Sequence, residues 1–228
     1  MAPPPSLPVP ASPSLLVQAL ARHDRARLRR PGAAGVTGLD EVGRGCLAGP
    51  VCAGAVHLPA PFLRKRPERW LPAVDDSKKL SRAAREKLGA AVWALGEEGH
   101  LSCALGWASP SEIDGLDITG ATFLAMDRAL AVLAPTAPPG DPCLVDGRPS
   151  RRWSRAHEGV VGGDGRSLAI ALASAIAKVA RDAFMAEQHD TFPDYGWDAN
   201  KGYATAVHRA ALATRGPTPL HRRSFLTF

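Results

Sequence analysis

The chain reads as an α/β protein, and three features of its sequence predict this. Strand-length apolar runs alternate with longer segments whose apolar residues recur at helical spacing. Two of the runs, Val36–Asp40 and Gly49–Leu58, flank a short glycine-rich turn, which predicts an antiparallel pair. With 228 residues and 45% apolar composition, the chain can bury one good-sized core.

Residues 1–13 are rich in Pro, Ala and Ser and are expected to lack fixed structure. Leu15–Leu28 suits a short helix that ends in an Arg-rich turn. Residues 1–34 together are read as an appendage, a flexible solubilising tail, and 35–228 as the folded domain. After the two first strands, residues 59–75 are proline-rich with mixed charges and read as a loop. Ser81 suits a helix N-cap, with the helix running to about Leu95 and ending at Gly99. Leu101–Trp107 is a third strand. Ser109-Pro-Ser-Glu112 opens a helical turn, and a longer helix follows over Ile118–Leu133, with Phe123, Met126 and Leu130 on its buried face. Pro135–Pro142 is a linker with four prolines. Cys143–Val145 is a short buried strand that ends at Asp146, and Glu158–Val161 is a fifth. An alanine-rich helix over Ser167–Gln188 suits close approach to a sheet, and a last helix runs from Thr205 to Thr214.

Charge is unevenly placed. Of the net +6, residues 1–35 contribute +4, from five Arg and one Asp. Residues 201–228 hold Lys201, Arg209, Arg215, Arg222 and Arg223 with no acid. The middle is therefore net acidic. Basic flanks beside an acidic centre suit a nuclease, where one part holds phosphates and the other a metal ion. Cys46, Cys52, Cys103 and Cys143 have neither zinc-site spacing nor a close pair, so no disulfide framework is expected. No secretory signal and no membrane-spanning run is legible, so the chain is expected to be cytoplasmic, with no membrane partner.

The chemistry centres on Gly38-Leu-Asp-Glu-Val-Gly-Arg-Gly-Cys-Leu-Ala-Gly-Pro50. Neighbouring strand residues point to opposite faces, so Asp40 and Glu41 serve one site only where the pleat breaks. Gly43 and Gly45 supply that break. A metal ion would explain two carboxylates side by side. Asp146 ends the fourth strand as Asp40 ends the first, and strand ends gather at one edge of an α/β sheet. Asp164, in Gly162-Gly-Asp-Gly165, reads from its residues alone as a loop or N-cap aspartate.

The central motif resembles the signature of type 2 ribonucleases H, the ribonuclease HII family. Asp76-Ser-Lys-Lys-Leu80, Glu112-Ile-Asp114, Val145-Asp-Gly147, Ala173-Ser174 with Ala177-Lys-Val179, Arg181-Asp182, Lys201-Gly-Tyr203 and His221-Arg-Arg-Ser-Phe225 follow in that family's order. The likeness spans about Val36 to Phe225. Several motifs in one order are far more specific than any one of them. It implies a ribonuclease H-like fold, a five-stranded mixed sheet flanked by helices with a helical C-terminal part, and makes 35–228 the catalytic domain. It implies a four-carboxylate site of Asp40, Glu41, Asp146 and Asp164, holding two Mg²⁺ or Mn²⁺ ions. The implied reaction is hydrolysis of RNA in RNA/DNA hybrids and of the bond 5′ of ribonucleotides in duplex DNA, leaving 3′-OH and 5′-phosphate ends. The Gly43-Arg44-Gly45 backbone would read the 2′-hydroxyl, and Tyr203 the RNA–DNA junction. Lys78, Lys178 and Lys201 are candidate phosphate contacts. Asp182, beside Arg181, reads as a structural ion-pair residue outside the metal site.

Two residues depart from the family pattern. Gly162 stands where a Lys usually precedes Gly-Asp, so that cation is lost or replaced by Arg166. Cys46 replaces a usual Pro. A single duplex-binding domain is expected to act as a monomer. The competing readings are a catalytically weak protein that binds RNA/DNA hybrids and a small-molecule phosphohydrolase. The row of acids opposes the first; the Gly-Arg-Gly loop and basic C-terminus oppose the second.

Overall fold

The computed structural model describes residues 15–65, 67–71 and 80–226 of the chain. The proline-rich start and most of the Asp76–Leu80 motif, Lys78 included, lie outside the described residues. Five strands form one mixed sheet: β1 (Gly35–Val42), β2 (Val51–Pro59), β3 (Ser102–Ala108), β4 (Cys143–Asp146) and β5 (Glu158–Val160). Their spatial order is β3-β2-β1-β4-β5. The first three pair antiparallel, β4 runs parallel to β1, and β5 runs parallel to β4. This is the ribonuclease H-like sheet that the motifs implied.

The helices are α1 (Leu15–Arg27), α2 (Ala60–Arg64), α3 (Arg82–Glu97), α4 (Pro110–Leu133), α5 (Leu168–Thr191), α6 (Trp197–Asn200) and α7 (Ala206–Arg215). Side-chain caps set four of their starts. Ser81 accepts from Ala84 N, Ser167 from Ile170 N and Thr205 from His208 N. Ser109 and Glu112 form a reciprocal capping box at the head of α4. Each such cap is worth about 1 kcal/mol. Helix α4 is interrupted at Asp117, whose φ of 59° is non-helical. The Asp117 carboxylate accepts from the Thr119 and Gly120 amides, so it caps the second half of that helix.

Helices α1, α3 and α5 share one apolar cluster with one face of the sheet, and α4 shares a second with the other face. Helix α5 lies unusually close to the sheet, over glycines of β1 and β2. A Cβ at Gly38 would overlap the Ala169 backbone, and one at Gly54 the Ala173 carbonyl. Its alanines complete the fit, as their spacing predicts. A third cluster, around Trp197, Tyr195, Met185 and Leu212, ties the C-terminal helices to the end of α5.

Two expectations need correction. Residues 15–27 are not an appendage: α1 buries Val17, Leu20 and Ala21 in the main core. Its Asp24, fully buried, accepts from the Ala169 N–H in the first turn of α5 at 2.9 Å. The 59–75 stretch is not simply loop either. Pro59 and Pro61 start α2, because proline fixes φ at a helical value where no N–H is needed, and Phe62 and Leu63 are buried. All four cysteines are free thiols. Burial pushes Cys52 and Cys143 up to about 12. No helix among the described residues is long and apolar enough to cross a membrane.

Candidate active site

The sheet brings two carboxylates together by register. Gly38 pairs with Leu144 and Leu39 with Val145 in the parallel β1–β4 ladder. One step further along the same register, Asp40 lies beside Asp146. Leu144 belongs to the core cluster on the α5 side, and side chains alternate along a strand. Asp40 and Asp146 therefore both project toward α5. Glu41 points to the other face, yet it also reaches the site because β1 ends at Val42. Asp164 comes from the turn Gly163–Gly165, just before α5, and is 5% exposed.

All four carboxylates line one open cleft of about 350 Å³ at this edge of the sheet. Gly43, Arg44, Gly45 and Tyr203 line the same cleft, as do Arg85, Ser174 and Lys178. Asp40 is 8% exposed and accepts from the Glu41 N–H at 2.8 Å and from the Ser174 hydroxyl. Burial, and then the charge of Glu41, push its carboxyl up to about 8. Burial also raises Glu41, which the nearby Arg44 guanidinium opposes at 3.3 Å. Asp146 accepts from the Gly163 N–H at 2.6 Å.

The cleft suits a hard divalent cation. Its donors are carboxylate oxygens, and burial, with the charges of Glu41 and Asp146 adding to it, raises Asp40, a cost that a bound cation would relieve. As the side chains stand, Glu41 faces Arg44 and Asp146 faces Gly163. Among the described residues, no three His, Cys, Asp or Glu side chains stand close enough to enclose an ion in that arrangement.

The candidate phosphate contacts separate. Lys178 lines the cleft, but its ammonium pairs with Asp182 at 2.7 Å. Asp182 is thus an ion-pair residue as expected, with Lys178 rather than Arg181 as partner. Lys201 does not line the cleft: its ammonium turns to the Asp198 carbonyl, and its φ of 52° marks a tight turn. Arg166 turns to the Val161 carbonyl at 3.4 Å and does not replace the missing lysine at Gly162. Among the described residues, the cations on the cleft wall are Arg44, Arg85 and Lys178. Arg85 was not singled out from the sequence, and Ser174 entered only within the Ala173-Ser174 motif, with no role assigned. Ser174 sits four residues before Lys178, hence on the same face of α5, and that spacing was the available signal.

Tyr203 is 44% exposed, and its ring lies over Gly45. Burial raises its hydroxyl, as does the Cys46 thiol it bonds. Cys46 is fully buried and donates to the Lys201 carbonyl at 3.6 Å, a packing role between the loop and the Tyr203 turn. A chain of imidazoles fixes that turn from behind. Thr218 N–H donates to His221 Nδ1 at 2.9 Å, so the His221 proton is on Nε2. It donates to His208 Nε2 at 3.0 Å, which also accepts from Trp197 Nε1 at 3.2 Å. His208 Nδ1–H is left to donate to the Tyr203 carbonyl at 2.9 Å.

Both rings must be neutral for this chain to exist. Burial lowers both, His221 to about 4, with His208 adding to the His221 shift. The unfolded chain binds protons near 6.5, where the folded chain does not. Stability from this pair is therefore complete above pH 6.5 and is lost as pH falls toward about 4. In a proton NMR titration, the His221 ring resonances should move with a midpoint near 4. A His221 midpoint near 6.5 would contradict this hydrogen-bond chain.

Comparison with known proteins bears on the family and the fold. The family model described as Ribonuclease HII matches residues 37–228. The ribonuclease HII of Synechococcus sp. (strain CC9902) is 49% identical over 197 residues, covering 86% of this chain and 94% of that protein. Among solved structures, the PCNA:RNase HII complex from Archaeoglobus fulgidus aligns with a TM-score of 0.63 at 24% identity, covering 85% of this chain and 96% of that one. The Bst ribonuclease HIII in complex with Mn²⁺ aligns with a TM-score of 0.65 at 20% identity, covering 94% of this chain and 71% of that one. At these identities the two structures bear on the fold alone.

Proposed function

The chain belongs to the ribonuclease HII family, and on that premise we propose that it is an endoribonuclease acting on the RNA strand of RNA/DNA hybrids and on the 5′ side of ribonucleotides in duplex DNA. The products would carry 3′-OH and 5′-phosphate ends. The observation that carries this reading is one cleft holding Asp40, Glu41, Asp146 and Asp164 with the Gly43–Gly45 loop and Tyr203 on its rim. A binding protein for anionic duplexes gains nothing from four acids facing the phosphates.

Asp40, Glu41, Asp146 and Asp164 would hold Mg²⁺ or Mn²⁺, Glu41 exchanging Arg44 for the cation. Bound there, divalent cations would supply an activated water and neutralise charge on the leaving 3′-oxygen. Ser174 holds Asp40 in place by its hydroxyl, and the Gly163 N–H orients Asp146. Arg85 and Lys178, which line the same cleft, would take the phosphates that flank the cut. The Gly43–Gly45 backbone would contact the 2′-hydroxyl, which distinguishes RNA from DNA. The exposed face of Tyr203 would stack on the sugar at the RNA–DNA junction. One chain carries every group this requires, so a monomer suffices.

The test compares two substrates, a duplex with one ribonucleotide and a uniform RNA/DNA hybrid. For Tyr203→Ala, kcat/KM on the single ribonucleotide should fall about tenfold more than on the hybrid, a loss typical of one stacking contact. An unchanged ratio would remove Tyr203 from junction reading.

A further inference from the structure

Among the described residues two arginines are fully buried, Arg181 on α5 and Arg222 near the C-terminal end. Neither has a carboxylate within ion-pair distance among the described residues. Main-chain carbonyls surround them instead. Arg181 donates to Pro50 O at 2.9 Å, to Ala48 O at 3.1 Å and to Lys201 O at 2.9 Å. Arg222 donates to Gly43 O at 2.6 Å, to Arg44 O at 2.8 Å and to Gly49 O at 3.0 Å. Five of these six carbonyls belong to the loop between β1 and β2. The sixth belongs to the turn that presents Tyr203.

Burying a guanidinium is costly unless its donors are all well placed, and a loop is an unusual place to spend two. The peptide geometry suggests what they achieve. The bonds here are trans, so each carbonyl points opposite to the N–H of the following residue. Arg222 draws the Gly43 and Arg44 carbonyls back toward itself. The N–H groups of Arg44 and Gly45 must then point away from it, and these residues line the cleft. Arg181 does a different job. It bonds the loop and the Lys201 carbonyl with one rigid fork, so it sets the distance between the loop and Tyr203.

We propose that Arg181 and Arg222 are positioning residues for substrate selection: Arg222 turns the loop amides toward the sugar, and Arg181 locks that loop to the Tyr203 turn. The inference rests on the ribonuclease reading and deepens it. Neither arginine touches substrate. Lysine keeps the charge but cannot reach three carbonyls in one plane, so it isolates the geometric role.

The experiment measures kcat and KM of Arg181→Lys and Arg222→Lys on the two substrates above, each with and without Tyr203→Ala. Arg181→Lys should lower the ratio of single-ribonucleotide to hybrid cleavage about tenfold, since small misplacement of a reading group is costly. Arg222→Lys should lower kcat/KM about tenfold on both substrates, because both carry the 2′-hydroxyl that the loop amides face. For Arg181→Lys, KM for the hybrid should stay within about twofold. In the Tyr203→Ala background, Arg181→Lys should lower the ratio by less than about twofold more, because the two act as one unit. An unchanged ratio for folded Arg181→Lys, parental kcat/KM on both substrates for folded Arg222→Lys, or an equal fall for Arg181→Lys in both backgrounds, overturns the inference. If Tyr203→Ala alone leaves the ratio unchanged, the junction reading fails and takes this inference with it. If both lysine variants fail to fold, amide exchange in the unsubstituted protein decides. Leu47 and Gly49, which donate to Gly202 O and Leu220 O, should exchange as slowly as β1. Fast exchange there would overturn the locked loop.

Discussion

Asp40→Asn should reduce cleavage about a thousandfold or more, roughly 4 kcal/mol of transition-state stabilisation, while the protein stays folded. Asp40 sits at the centre of the cleft, beside Asp146 in the sheet register and against Ser174 on α5. Asn matches its shape and can still accept from the Glu41 N–H through its amide oxygen. It cannot supply the negative charge that a divalent cation needs. The loss should therefore appear in cation binding as well as in turnover. Millimolar Mn²⁺ should raise the melting temperature of the parent protein by several degrees, as about 2.7 kcal/mol at a hundred times Kd implies. It should raise that of Asp40→Asn far less. Equal Mn²⁺ stabilisation of both proteins would place the cation elsewhere.

Gly43→Ala should be the most damaging single methyl group in the molecule's reading loop. Gly43 has a φ of 96°, a conformation that side chains rarely adopt. The new Cβ would also overlap the Arg181 guanidinium. Displacing Arg181 would strand a buried charge, so the cost should reach about 3 kcal/mol or more. It would show as a lower urea midpoint with an unchanged slope. Activity on an embedded ribonucleotide should fall about a hundredfold even where the variant is fully folded. Near-parental activity and stability would contradict the tight packing between the loop and Arg181.

Much of this was legible in the sequence, for identifiable reasons. Strands and helices announced themselves where local chemistry decided the outcome, as with Ser81, Ser109 and Ser167 at helix starts. Asp40 and Asp146 could be paired because each ends a strand, and strand ends share an edge. Asp164 needed the family pattern, since Gly-Asp-Gly by itself is an ordinary turn. Other features depend on partners distant in the chain. Asp24 reaches α5 across 145 positions, so α1 looked like part of a tail. Arg181 and Arg222 bond backbone carbonyls more than 130 positions away, and no side-chain pattern records that. Lys201 shows the opposite failure. Its place in a basic segment suggested a phosphate contact, but its backbone angle makes it part of a turn.

The central claim is that this cleft hydrolyses the bond 5′ of a ribonucleotide with cations held by its carboxylates. The most direct test is an end-labelled DNA duplex with one ribonucleotide, incubated with Mg²⁺, with Mn²⁺ and with chelator, beside an all-DNA duplex and an Asp40→Asn control. The account predicts one cut immediately 5′ of the ribonucleotide, requiring a divalent cation and absent from the all-DNA duplex and the variant. A cut that persists in chelator or in Asp40→Asn, or no cut with either cation, would contradict it.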